Sequence, residues 1–208
     1  MATFNPTIFQ DISGSVGNVT TYKLGDKHVA RAKAFEVKDA KTPAQLKQRT
    51  RVSVITKLRR SFNAALETGY CSSSKKVCLN CFMKDNVGKV EVDDDMNVTL
   101  DLLSLSLSGG ELDIPRVGAE IEANERQVLF RWERQPLMPR AAKDDRLFGV
   151  VYERVLQRSR LVELGTRGES GELAWMLPEE WDAGQLVVYG FAASANGRKA
   201  SGTLGILG

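Results

Sequence analysis

TPAQLKQRTRVSVITKLRRSFNAALETG, residues 42–69, is the segment from which the rest of this 208-residue chain is read, because its start, interior and end carry the same signal. Thr42 can accept the first orphan N–H of a helix. Pro43 suits the first helical position, where its missing N–H would be unpaired anyway, and Gln45 completes a T-x-x-Q capping box. Gly69 stands where a left-handed residue would close the helix, and neither Gly nor Pro interrupts 44–68. The expectation is one helix on the order of 40 Å long at about 1.5 Å per residue. Ile55, Leu58, Phe62, Ala65 and Leu66 recur at three- and four-residue spacing, so its second half needs a partner surface.

Charge sets this helix apart. Lys47, Arg49, Arg51, Lys57, Arg59 and Arg60 are opposed only by Glu67. Two readings stand: a solvated face with stems lying over apolar surface, or an electropositive rod that meets nucleic acid or an acidic protein partner. Along the whole chain, residues 1–60 hold 12 Lys/Arg and 4 Asp/Glu (+8), leaving 17 and 22 (−5) for 61–208 within a total of +3. A basic head on a mildly acidic body suits an acidic binding partner, or head-to-body association between copies, and salt should weaken either.

A hydrophobic fraction of 42% is enough for a real core, and no apolar run is long enough for a transmembrane helix. The N-terminus has neither the basic start nor the apolar core of a signal peptide, so a cytoplasmic or virion location without membrane contact is expected. Three cysteines make an odd set. Cys78-x-x-Cys81 with Cys71 approaches metal spacing, but the single histidine, His28, is remote and no fourth cysteine exists. Reduced structural thiols and no cofactor are expected, with His28 a surface or interface residue.

Before the helix, Ser13-Gly14-Ser15-Val16-Gly17 marks a turn leading into strands over 18–24 and 27–34, joined at Gly25-Asp26. After it, 70–76 (with Ser72-Ser73-Ser74) reads as a polar loop and 77–83 as a short strand. Asp93-Asp94-Asp95 reads as a solvated turn, since it lacks the alternation of a calcium loop. Leu103, Leu105 and Leu107 alternate with serines, as in a half-buried strand ended by Gly109-Gly110. From there the texture changes to seven candidate strands near 120–123, 127–133, 148–156, 160–164, 171–176, 185–193 and 200–206. A loop over 135–146 carries Pro136 and Pro139. Trp132 on an early strand and Val187, Tyr189 and Phe191 on a late one supply core residues. Trp181 reads as packed over an edge. The expected architecture is mainly β with one long helix. An N-terminal hairpin-and-helix region (1–110) precedes a disulfide-free antiparallel sandwich of immunoglobulin or fibronectin type III character (111–208).

No G-x-S-x-G, H-E-x-x-H, P-loop or kinase-like set is present. SGSVGNV at 13–19, Arg31 in the following strand and KTPAQLKQR at 41–49 form a pattern that resembles an uncharacterised family of Bacteroidetes bacteria and their phages. That family has an SGxxGNV hairpin, a TPxQxxQR helix start and a β-rich C-terminal half. The likeness concentrates in residues 8–66, and the three cysteines and the aspartate run depart from it. It implies a phage-type structural or assembly protein and supplies no catalytic residues. The functional expectation is therefore a non-enzymatic virion or assembly component, homo- or hetero-oligomeric through protein–protein contacts. The alternative is sequence-independent nucleic-acid binding, with the six basic helix residues neutralising phosphates.

Overall fold

The computed structural model describes residues 2–4, 12–33, 39–72, 74–135 and 139–208; Ser73, Pro136 and Ala34, the last residue of the strand read over 27–34, lie outside the described residues. The chain divides into two units, Met1–Thr42 and Pro43–Gly208.

The first unit is an antiparallel sheet of β1 (Ala2–Phe4), β2 (Gly14–Val16), β3 (Val19–Leu24) and β4 (Lys27–Ala32), in the order β1-β4-β3-β2. Val16 pairs with Val19 across Gly17-Asn18, and Leu24 with Lys27 across Gly25-Asp26. Gly25 takes φ +60° at the first central position, which a two-residue hairpin turn of the primed type needs and a side chain would resist. Among the described apolar side chains of this sheet only Val29 is buried, while Val16 and Leu24 are 67% and 63% exposed.

In the second unit, α1 (Pro43–Leu58), α2 (Asn63–Gly69) and α3 (Lys75–Asn86) precede the short pair β5 (Glu91–Val92) and β6 (Val98–Thr99). Then follow β7 (Val117–Glu122), β8 (Gln127–Trp132), β9 (Arg146–Glu153), β10 (Arg158–Thr166), β11 (Gly171–Met176), β12 (Leu186–Ala193) and β13 (Leu204–Leu207). Each of the seven strands read from the sequence lies on one of these. They form two antiparallel sheets, β11-β8-β7 and β10-β9-β12-β13. The fold is mainly β, with several antiparallel sheets and three helices.

The four-stranded sheet is the middle layer of this unit, which explains its sequence. LFGVVY in β9 and LVVYGFAA in β12 lack the polar alternation of a half-solvated strand because both faces are covered. Phe148, Val150, Tyr152, Val187, Tyr189 and Phe191 pack with Ile55, Phe62, Leu66 and Phe82 of the helical layer. The alternate residues Leu147, Val151, Leu186, Val188 and Ala192 pack with Val128, Phe130 and Trp132 of the three-stranded sheet. Trp181 is buried on that side, its ring edge-on to Trp175 at 5.7 Å.

The single helix expected over 42–69 is two. After Leu58 the bonding tightens to i−3 contacts, with Arg60 N–H to Lys57 O (3.2 Å) and Ser61 N–H to Leu58 O (2.9 Å). A new helix begins at Leu66 N–H to Phe62 O (2.9 Å). Tertiary bonds hold the break: Ser61 Oγ donates to Gln157 O (2.5 Å), and Ser159 Oγ donates to Ser61 O (2.6 Å).

The apolar run 77–83 is helical, within α3, and puts Cys78, Phe82 and Asn86 at four-residue spacing into the core. Leu105 and Leu107 are buried as the alternation predicts, but the segment pairs with side chains instead of a strand. Asn86 Nδ2 donates to Ser106 O and Asn86 Oδ1 accepts Ser106 N–H, both at 2.8 Å. Thr203 Oγ1 accepts the N–H groups of Leu107 and Ser108 at 2.8 and 2.9 Å. Leu103 lies in a single 3₁₀ turn and is exposed.

Gly69 has a role other than the expected left-handed cap. That backbone belongs to Cys71, at φ +48°, whereas a Cβ on Gly69 would sit 2.5 Å from Leu107 O and 2.7 Å from Ser108 Cβ. Gly69→Ala is therefore expected to destabilise by about 1–3 kcal/mol through overpacking, outweighing a helix-propensity gain of at most about 1 kcal/mol. A thermal melt showing a stabilised variant would contradict this close approach.

Candidate interaction surface

The six basic residues do not share a face. Lys47 and Arg51, one turn apart, lie on the stripe that continues to Ile55 and Leu58, and both are half-buried. Lys47 Nζ contacts Asp94 Oδ1 at 2.6 Å, which gives the aspartate turn a partner in the fold. Arg51 Nε is buried without a hydrogen-bond partner. Arg49 is exposed on the far side of α1. Lys57, Arg59 and Arg60 cluster at its C-terminal end, where cations complement the helix dipole.

At that end the chain brings in residues the helix alone could not indicate. Lys57 and Arg60 share a shallow cleft of about 310 Å³ with Ser61, Leu156 and Gln157, the last two from the loop between β9 and β10. Val155 at the loop tip is 71% exposed, and Arg154 beside it is exposed. The signal in the sequence was RVLQR at 154–158, an apolar pair between arginines, which the strand reading absorbed into 148–156.

A larger cleft, about 980 Å³, opens at one end of the three-stranded sheet. Ile114, Pro115, Val117, Trp132 and Leu204 line it together with Arg131 and Glu172. The outer face of this sheet carries carboxylates: Glu120 beside Leu129, Glu122 beside Gln127, and Glu172 beside Arg131. Arg131 pairs with Glu120 at 3.2 Å and Glu172 at 3.7 Å.

Elsewhere, perturbed titrations belong to structural groups. Burial raises the Tyr189 phenol, which donates to Leu102 O at 2.6 Å. Burial, then the bond to Asp85 (2.8 Å), raises that of Tyr70. Burial likewise pushes the Cys71 thiol up, into the protonated form that donates to Thr68 O at 3.2 Å. All three cysteines are free thiols. Among the described residues no group of three or more His, Cys, Asp or Glu is placed to hold a metal, and no helix is long and apolar enough to cross a membrane. His28 is half-buried within β4, in register with Lys23.

Residues 11–206 match the model of a family described as "Family of unknown function (DUF6266)", and the chain belongs to that family. No curated protein and no solved structure matches it.

Proposed function

We propose that this chain is a non-enzymatic structural protein that works through protein–protein contacts, a component of a phage or phage-like particle in the virion or the cytoplasm. The observation that carries the reading is the N-terminal sheet. Its register puts Val16, Val19, Ala30 and Ala32 on one face together with Thr21, Lys23 and His28, and Val16 and Val19, paired at one end of it, are 67% and 42% exposed. A unit of about 40 residues rarely buries enough surface to hold together without a disulfide, a metal or a partner subunit. The cysteines all lie in the other unit, so no disulfide closes within this one, and the support this reading gives it is a partner subunit that covers the exposed valines.

We read the seven strands from Val117 to Leu207 as a sandwich of immunoglobulin or fibronectin type III character, and their division between two sheets supports that reading. The first, second and fifth lie in one sheet, and the third, fourth, sixth and seventh in the other. Such sandwiches make contacts through edges and loops without a buried site, which suits an assembly role.

Light scattering of nuclease-treated full-length chain is expected to give a defined oligomer free of nucleic acid. Val16→Asp/Val19→Asp is expected to dissociate it without changing the circular dichroism of the body, because neither side chain is buried. A wild-type monomer that gains mass only with added nucleic acid would replace this reading by the nucleic-acid one, and its salt dependence would then measure the phosphates neutralised.

A further inference from the structure

The turn after α1 and the loop between β9 and β10 form one rigid corner although they lie 96 residues apart in sequence. Ser61 and Ser159 stitch the two segments together. The loop is fixed from below as well: buried Glu153 accepts the N–H of Leu156 through Oε2, and Arg154 N–H donates to Gln185 O at 3.0 Å. This holds Val155 and Leu156 outward, 71% and 39% exposed, with Lys57 and Arg60 across the shallow cleft. One exposed valine is ordinary. An immobilised apolar tip with a cationic flank is a contact surface whose ordering cost is already met by the fold.

Its complement is on the same chain. On the outer face of β11-β8-β7, Glu120 and Glu172 flank the guanidinium of Arg131, and at the other end of β8 Glu122 and, from the turn, Glu125 accept from Gln127. Between them lie Leu129, Ala174 and Met176, the last 62% exposed. An apolar centre with an anionic rim matches an apolar tip with a cationic flank in both chemistry and sign.

We infer that the cationic corner of one copy docks on the glutamate-rimmed sheet face of a second copy. Corner and face are different surfaces, so the contact is heterologous. Each copy offers one of each, and repetition builds a ring or a filament. The inference rests on the assembly reading but uses neither the N-terminal sheet nor its partner.

The test is sedimentation of nuclease-treated full-length chain at low and high salt, with the charge-reversal variants Lys57→Glu/Arg60→Glu and Glu120→Lys/Glu172→Lys. Wild type is expected to associate more weakly as salt rises. Each variant alone should lose association by roughly tenfold or more, as juxtaposed like charges dictate. An equimolar mixture of the two should regain the wild-type mass, since it restores opposite signs at every corner-to-face contact. Variants that associate like wild type would overturn this contact and leave assembly through the N-terminal sheet standing. A wild type monomeric under all conditions would overturn both. Failure of the mixture to recover, with wild-type mass rising only on adding nucleic acid, would assign the corner to phosphates and overturn the docking.

Discussion

Arg167→Met is expected to destabilise the second unit by about 3–5 kcal/mol, the range for breaking a buried ion pair by removing one partner. Arg167 and Asp145 have side chains only 2% exposed, with Arg167 Nε 3.3 Å from Asp145 Oδ2. The guanidinium also donates to Gln135 Oε1 at 2.6 Å and Asp113 O at 2.7 Å. One cation thus ties the segment before β7, the segment after β8 and the loop before β9 to the end of β10. Losing it leaves a buried carboxylate whose remaining bond comes from Ala142 N–H at 2.9 Å, together with two acceptors stripped of their donor. Chemical denaturation should report the loss as a lower midpoint at unchanged slope. Arg167→Met/Asp145→Leu should recover part of it, because replacing both partners removes the orphaned charge. A single-variant loss below about 1 kcal/mol, the scale of exposed pairs, would mean that the clamp does not hold these loops.

That clamp was illegible in the sequence, where Arg167 and Asp145 are two charged residues among many. Pair burial is decided by where loops converge, and no local pattern records it. The strands were legible because their signals are local: the period-two pattern of 171–176, the apolar runs of β9 and β12, and the Gly25-Asp26 turn. The helix start at Pro43 was legible for the same reason. Its break was not, since residues 59–62 contain no Gly or Pro and the interruption is held by Ser61 bonding to Gln157 and Ser159 far along the chain. Nor was α3, because KKVCLNCFMKDN mixes apolar and polar residues too evenly to separate a helix face from a strand at that length. The six basic residues were read as one surface from their number, yet at about 100° per residue Arg49 already lies opposite Lys47 and Arg51 within α1, and Lys57 and Arg60 belong with Leu156 and Gln157 of a distant loop.

Phe62→Ala carries the other large expected effect. The sequence placed Phe62 on the apolar stripe of a helix; the structure places it at the break between α1 and α2, fully buried. Its ring lies 4.8 Å from Tyr152, 6.2 Å from Tyr189 and 6.4 Å from Phe82, so one side chain joins α3 to the middle sheet. Truncation removes the ring's burial and leaves a cavity between layers that rigid strands cannot close, a loss of about 3–5 kcal/mol. Phe62→Leu, which keeps most of the volume, should cost roughly 1.5 kcal/mol or less if the site repacks. Amide exchange then separates a general weakening from a specific one. If Phe62 anchors the helical layer, protection should fall first in α1, α2 and the 154–158 loop while β12 stays protected, because local opening follows the lost contacts. The same variant should weaken salt-sensitive self-association even where the chain remains folded, since Lys57 and Arg60 are held against that loop by the turn that Phe62 pins. Unchanged association in a folded Phe62→Ala chain would show that the corner needs no aromatic anchor beneath it, leaving the hydrogen bonds of Ser61, Ser159, Glu153 and Arg154 as its support.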